Sequence, residues 1–194
     1  MPRDPADSPS PRRADAARNR ERILAVAREA FAVPDADVSM AEVARRAGVG
    51  MATLYRNFAG RRELLEALYV DEVDAVCAAA ATVEGDAPGE RLEAWLRRFF
   101  AYFSSKRHVA GALLEQADAA DPVFGDNRAR VMAAGAPLLA AAQDAGDVRG
   151  DLDLAQVLQL VTAVARIEAA PEVVEPLLQT VFDGLRGPGR PAAS

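Results

Sequence analysis

The chain has 194 residues, of which 51% are hydrophobic and 27% are charged, and its formal net charge is -6. This length allows one or two compact domains, and a single cysteine, Cys77, excludes an internal disulfide. Residues 10–62 hold 11 arginines and 6 acidic residues, a net charge of +5, whereas residues 70–194 hold 11 basic and 19 acidic residues, a net charge of -8. A basic segment on an acidic body is typical of proteins that bind phosphate groups through one part of their surface.

The first segment is rich in proline, serine and charge, so residues 1–14 are predicted to be a disordered arm. This segment contains no apolar run, which argues against a signal peptide or a spanning segment and favours a cytoplasmic protein. A helix is then predicted from Asp15 to Ala32, with Ile23, Ala27 and Phe31 on its apolar side.

Residues 39–58 are predicted to form two short helices joined by a glycine turn. Ser39 and Glu42 have the spacing of a capping box, and Gly48 stands where a left-handed residue would end the first helix. The second helix, from Met51 to Phe58, has Leu54 and Phe58 on its buried side. Its outer face consists of Met51, Ala52, Thr53, Tyr55, Arg56 and Asn57. Helix-turn-helix domains place such a face in the DNA major groove, although similar helix pairs occur in proteins that never contact nucleic acid.

The remaining chain is predicted to be helical, since it shows no sustained alternating strand pattern. Further helices are expected at residues 61–83, from Pro88 to about Ser104–Ser105, from Lys106 to Ala117, from Pro122 to about Ala145, from Leu154 to about Glu168 and from Pro171 to Leu185. The predicted fold class is therefore all-α with about nine helices. A helix-turn-helix DNA-binding domain is expected at 15–60, a second helical domain at 61–186, to which the family resemblance described below assigns effector binding and dimerisation, and a disordered tail at 187–194.

Two apolar groups in the later helices are candidate binding surfaces. The residues expected to line an effector pocket are Trp95, Phe99, Phe103, Leu113, Leu114 and Met132, although ordinary core packing explains the same residues. The residues expected at a dimer interface are Val157, Val161, Val174, Leu178, Val181 and Phe182. His108 is the only histidine, so no metal site is expected. No reactive constellation or cofactor motif is present, so an enzyme is not expected.

Three stretches, RERILAVAREAFA, VSMAEVARRAGVGMATLYRNF and RRELLEALY, together resemble the amino-terminal domain of TetR-family transcriptional regulators over about residues 18–70. The resemblance implies a homodimer with three DNA-binding helices per subunit and a helical effector-binding domain. It also implies phosphate contacts by Thr53 and Tyr55, with Asn57 in place of the usual histidine and Arg61 at the basic position of the fourth helix. Base reading would involve Met51, Ala52 and Arg56, with help from Arg45, and for Arg56 a phosphate contact is an equal alternative. Ser39 is also expected among the DNA-binding residues.

The function expected from this resemblance is that of a ligand-responsive regulator. It would act as a repressor that binds a palindromic double-stranded operator as a homodimer and is released by an unknown small-molecule effector. The two recognition helices would lie about 34 to 36 Å apart, or more, on the duplex. The alternative is a helical small-molecule or partner-binding protein whose helix-turn-helix no longer reads DNA.

Overall fold

The computed structural model describes the backbone of residues 11–31, 38–114 and 122–186, and side chains within 15–31, 38–104 and 123–186. Over these ranges it contains eight helices and no strand, with one isolated antiparallel bridge between Val148 and Arg186. The helices are α1 (Pro11–Phe31), α2 (Met40–Arg46), α3 (Met51–Asn57), α4 (Arg61–Thr82), α5 (Pro88–Leu114), α6 (Pro122–Asp144), α7 (Leu154–Ala165) and α8 (Pro171–Leu185). The all-α prediction is confirmed. Among the described helices, none combines the length and the apolar character needed to span a membrane.

Two helix boundaries differ from the prediction by more than three residues. Helix α1 begins at Pro11 rather than Asp15, because proline is well suited to the first position of a helix. The arm predicted for residues 1–14 is thus too long, and residues 1–10 lie outside the described range, as does the tail at 187–194. Helix α5 continues through Ser104–Ser105, so the predicted break there is wrong, and the described ranges hold eight helices rather than the expected nine. Serine lowers helix propensity only slightly, and no proline stands at this point.

The described residues form two compact units. The N-terminal unit contains α1, α2, α3 and α4 as far as Leu68, together with the last residues of α5 from His108. The C-terminal unit contains the rest of α4 from Tyr69, α5 as far as Arg107, and α6 to α8. The division falls within α4 rather than after residue 60, because Leu64, Leu65 and Leu68 are fully buried in the first unit.

The N-terminal unit is built around a small apolar core in which α1 packs on both α2 and α3. Its fully buried side chains include Ile23 and Ala27 from α1, Val43 from α2, Leu54 from α3, and Phe58. Each such leucine, isoleucine or phenylalanine contributes about 1.5 to 3 kcal/mol relative to an exposed position. This core fixes which face of α3 points outward.

The C-terminal unit has a larger core centred on Trp95, which is fully buried. The indole N–H of Trp95 donates to the backbone carbonyl of Val76, with a distance of 3.1 Å. The ring lies against Gly135, where a Cβ atom would stand only 2.2 Å from the ring carbon Cη2. The Trp95 ring therefore occupies space that any larger residue at position 135 would need.

The residues predicted for the dimer interface belong largely to this same core. Val157, Val161, Val174, Leu178 and Phe182 are between 0% and 8% exposed, and Val181 is partly buried against the core. The prediction of these five residues as a partner surface is therefore corrected, because their side of α7 and α8 packs within the subunit. The exposed large apolar side chains of this region are Leu160, Ile167, Val173 and Leu177.

Candidate functional site

The turn between α2 and α3 is fixed by backbone hydrogen bonds around a left-handed glycine. Gly48 has φ = 62°, its N–H donates to the carbonyl of Arg45, and the N–H of Val49 donates to the carbonyl of Ala44. This pair of bonds is the Schellman motif that ends a helix at glycine. Gly50 then adopts an extended conformation as the N-cap of α3. The chain reverses direction within a few residues and starts the second helix at Met51.

The start of α2 forms only half of the capping box that the sequence predicts. The Ser39 hydroxyl accepts a hydrogen bond from the backbone N–H of Glu42, with a distance of 3.2 Å. The Glu42 carboxylate instead accepts two hydrogen bonds from Arg45 and one from Arg46, at 2.5 to 2.8 Å. The bonds from Arg45 and then Arg46 lower the pKa of Glu42 to about 2, so this carboxylate is charged at neutral pH. The surface beside the turn thus carries two cations and one anion.

The outer face of α3 is exposed as the sequence pattern predicts. Leu54 and Phe58 are fully buried, whereas Met51 is 39% exposed and Tyr55 is 48% exposed. Ala52 and Arg56 are also exposed, and Thr53 and Asn57 are half-buried. Helix α3 therefore presents a mixed apolar, aromatic and basic surface on the side away from the core.

Several polar groups of α3 bond within their own helix. Arg56 donates to the carbonyl of Ala52 at 3.0 Å and to the hydroxyl of Thr53 at 3.1 Å. The side-chain amide of Asn57 donates to the carbonyl of Thr53 at 2.8 Å. A base or phosphate contact by Arg56 would replace these local bonds, whereas the exposed Tyr55 has its hydroxyl available at the surface.

Two arginines from outside α3 hold the unit together. Arg61 donates to the carbonyl of Val38 and its guanidinium lies 4.9 Å from the centre of the Phe31 ring. Arg20 donates to the carbonyl of Asn57 at 3.1 Å and lies 4.4 Å from the centre of the Phe58 ring. Arg61, predicted as a DNA contact, thus also has an internal structural role. Sequence reasoning missed Arg20 because its partners lie 37 or more residues away and no local pattern marks them.

The C-terminal unit contains a cavity of about 440 Å³ between α4, α5, α6 and α7. Its aromatic lining residues are Tyr69, Phe99, Tyr102, Phe103 and Phe124, and its polar lining residues are Asn127, Arg128, Gln159, Thr162 and Arg166. Of the residues predicted for an effector pocket, Phe99, Phe103 and Met132 line this cavity. Trp95 does not line it, because its ring is buried behind Phe99. The side chains of Leu113 and Leu114 lie outside the described part of the chain.

The polar groups at the cavity wall are mostly held by neighbours. Tyr69 and Tyr102 are hydrogen-bonded to each other, and burial raises the pKa of both phenols, so they are neutral. Asn127, which is 4% exposed, donates to the carbonyl of Val123 at 2.7 Å and accepts from Arg130 at 3.0 Å. Arg130 in turn pairs with Asp74 on α4. Tyr69, Tyr102 and Asn127 therefore already have hydrogen-bond partners within the protein.

A second depression, of about 620 Å³, is lined by Glu90, Glu93 and Asp147 among others. Each of these carboxylates already has a hydrogen-bond or ion-pair partner within the protein. Glu90 accepts from the backbone N–H groups of Asp86 and Ala87, Glu93 pairs with Arg97, and Asp147 accepts from the N–H of Gly89. This depression offers no aromatic cluster comparable with that of the first cavity.

Comparisons with known proteins agree with the arrangement of a basic helix-turn-helix followed by a helical unit. Residues 23–68 match the family described as "Bacterial regulatory proteins, tetR family", and residues 87–187 match "Transcriptional regulator SbtR-like, C-terminal domain". A search of curated proteins finds no match.

Solved structures include two similar proteins of nearly the same length. A TetR transcriptional regulator from Streptomyces coelicolor is 35% identical, with a TM-score of 0.72 over 88% of this chain and 99% of that chain. A TetR transcription regulatory protein from Mycobacterium vanbaalenii is 36% identical, with a TM-score of 0.74 over 91% of this chain and 99% of that chain. The chain belongs to the TetR family of DNA-binding transcriptional regulators.

Proposed function

We propose that this regulator is a homodimeric repressor that binds a palindromic operator and is released by a small-molecule effector. The observation that carries the DNA-reading part is the outward face of α3, where Tyr55 and Met51 are exposed while Leu54 is fully buried. A helix of this composition suits the major groove, with apolar contacts from Met51 and Ala52 to thymine methyl groups. Thr53, Tyr55 and Asn57 would bind phosphates, Arg45 and Arg56 would contact bases or phosphates, and Ser39 and Arg61 would support the backbone contacts.

The dimer is proposed to form through the exposed side of α7 and α8. Leu160 and Ile167 on or just after α7 are 44% and 40% exposed, and Val173 and Leu177 on α8 are 54% and 41% exposed. Val173 and Leu177 are four residues apart and therefore lie on one side of α8. Two copies of such a helix pair can pack about a two-fold axis and bury these side chains.

The effector is proposed to occupy the cavity of the C-terminal unit. Helix α4 supplies Tyr69 and Val73 to the cavity wall and also begins at Arg61 beside the DNA-reading helix. A ligand that prefers one position of α4 would change the spacing of the two recognition helices. Such a ligand shifts the equilibrium only by its difference in affinity for the two arrangements, typically ~1 to 3 kcal/mol.

The test is a titration of a fluorescent operator at two salt concentrations. The operator is obtained from inverted repeats upstream of the protein's own gene or by selection from random duplexes. We expect sequence-dependent binding that weakens steeply with salt, and loss of binding in Tyr55→Ala and Arg56→Ala. Arg98→Gln, an exposed arginine on α5, is the matched control and should bind as the wild type does.

Weak binding of every duplex alike would favour the alternative, a helical ligand- or partner-binding protein that no longer reads DNA. The dimer is tested separately by analytical ultracentrifugation of Leu177→Glu, which should be monomeric. Arg98→Glu should stay dimeric. A Leu177→Glu variant that remains dimeric would remove the proposed interface.

A further inference from the structure

The cavity of the C-terminal unit differs in charge from the region that surrounds it. Residues 70–194 carry a net charge of -8, yet the lining residues in the described part of the chain include Arg128 and Arg166 and no aspartate or glutamate. An acidic body with a cavity wall of the opposite sign favours an anionic ligand there. Burial is the main cause of the raised pKa of Tyr102, to which the charge of Glu72 adds, and Glu72 is not among the described lining residues.

The two arginines lie at the same end of the α6–α7 pair. These helices pack together and are joined by a short connection, so they run antiparallel. Arg128 stands sixteen residues before the end of α6, and Arg166 stands twelve residues after the start of α7. At 1.5 Å per residue, these separations place Arg128 about 24 Å and Arg166 about 18 Å from the connection. The cavity therefore has one cationic end.

The aromatic side chains that line the rest of the cavity suit a ligand with flat rings. The centres of the Phe99 and Phe103 rings are 5.3 Å apart, and those of Tyr69 and Phe124 are 5.4 Å apart. Aromatic walls of this kind pack ligand rings in offset or edge-to-face contacts. A volume of about 440 Å³ lies in the lower part of the range for small-molecule sites and suits a ligand of roughly two or three rings.

We propose that the cavity binds an aromatic anion, with its rings between the phenyl groups of Phe99, Phe103 and Phe124 and its carboxylate or sulfonate toward Arg128. Arg166 has another partner within the protein, so Arg128 is the main contact for the charge. This inference rests on the proposed function, in which the cavity is the effector site, and it adds the chemical class of the effector.

The experiment compares two dyes that share one ring system. 1-Anilinonaphthalene-8-sulfonate carries a sulfonate, and N-phenyl-1-naphthylamine is its neutral counterpart. Trp95 is the only tryptophan and its ring stacks on Phe99, with 6.2 Å between the ring centres. Energy transfer from Trp95 to a bound dye therefore reports that the dye is bound to the protein, and the arginine variants below locate it in this cavity. We expect the sulfonate to bind the full-length protein about tenfold more tightly than the neutral dye, as one charge-assisted contact allows.

Matched arginine variants locate the charge contact. Arg128→Gln should reduce the preference for the sulfonate to about twofold or less, Arg166→Gln should reduce it partly, and Arg98→Gln should leave it unchanged. A preference for the neutral dye, an equal preference in Arg128→Gln and wild type, or no energy transfer from Trp95 would each overturn the proposal. Operator titration without any dye tests DNA binding independently, so failure of the dye experiment alone leaves the DNA-reading function standing.

Discussion

The N-terminal unit keeps its candidate functional residues outside a small core, whereas the C-terminal unit arranges them around an internal cavity. Tyr55 on α3 is 48% exposed, but Tyr102 and Asn127 at the cavity are 7% and 4% exposed. The orientation of α3 is determined by features close together in the sequence. These are the Ser39 cap of α2, the left-handed Gly48, and the buried Leu54 and Phe58 one turn apart. The cavity depends on side chains that pack across four helices. Substitutions in the first unit should therefore alter binding more than folding, and those in the second should do the reverse.

The largest effect is expected for Gly135→Ala in the C-terminal unit. The new methyl group would lie 2.2 Å from Trp95 Cη2, and the indole is fully buried and bonded to Val76, so it has little room to move. Overpacking of this kind costs about 3 kcal/mol. Trp95 fluorescence during urea unfolding measures the loss, because the single tryptophan lies in this unit.

Gly125→Ala is the matched control, because Gly125 lies in the same helix and an added Cβ there meets no atom of the described residues within 4 Å. Alanine at an open helical position should stabilise the protein by about 0.5 to 1 kcal/mol. If Gly135→Ala and Gly125→Ala unfolded at the same urea concentration, the close contact between Trp95 and Gly135 would not determine the stability of this unit.

The second effect concerns the turn of the N-terminal unit. Gly48→Ala leaves enough space for the side chain but places it at φ = 62°, which costs an L-residue about 1 to 2 kcal/mol. We expect hydrogen exchange of the α2 and α3 amides to accelerate accordingly. Gly48→Asn should lose less stability than Gly48→Ala, since asparagine adopts the left-handed conformation more readily. If alanine and asparagine give the same exchange rates, backbone strain is not what fixes the turn.

The same contrast explains which features could be predicted from the sequence. The start of α2 at Met40, the glycine turn and the burial of Leu54 depend on spacings of a few residues, so the sequence pattern reveals them. The sequence pattern could not predict that Trp95 lies behind the cavity. An apolar face of a helix does not show which of its residues pack in the core and which line a cavity. For the same reason the apolar stripes of α7 and α8 do not reveal which of their residues pack within the subunit and which are exposed.

A smaller effect is expected where a distant side chain supports α3. Arg20→Gln removes the cation–π contact with Phe58 and the hydrogen bond to the carbonyl of Asn57. Since Arg20 is exposed, we expect a loss of about 0.5 to 1 kcal/mol, seen as faster hydrogen exchange at the end of α3. Arg22→Gln is the control, because within the described part of the chain Arg22 donates only to the side chain of the nearby Asn19. A slower exchange in Arg20→Gln would contradict this role.

The smallest effect on stability is expected for Glu42→Gln, a substitution that also tests DNA binding. The pKa of Glu42 in the folded protein is about 2, below its ordinary value of 4.5, so the carboxylate contributes stability that is present above about pH 4.5 and is lost as the pH falls toward 2. The variant should therefore melt below the wild type at pH 7, with the difference disappearing as the pH falls toward 2. The difference should also shrink in high salt, because the ion pairs are on the surface.

DNA affinity should change in the opposite direction in the same variant. Removal of the carboxylate releases Arg45 and Arg46 from their bonds and removes a negative charge near the turn between α2 and α3. We expect affinity for any duplex to rise by about two- to threefold at low salt, with a steeper salt dependence and lower discrimination between operator and random DNA. Glu29→Gln, at an exposed position on α1, is the charge-matched control. An affinity that falls in Glu42→Gln would mean that the carboxylate instead orients Arg45 for operator contact.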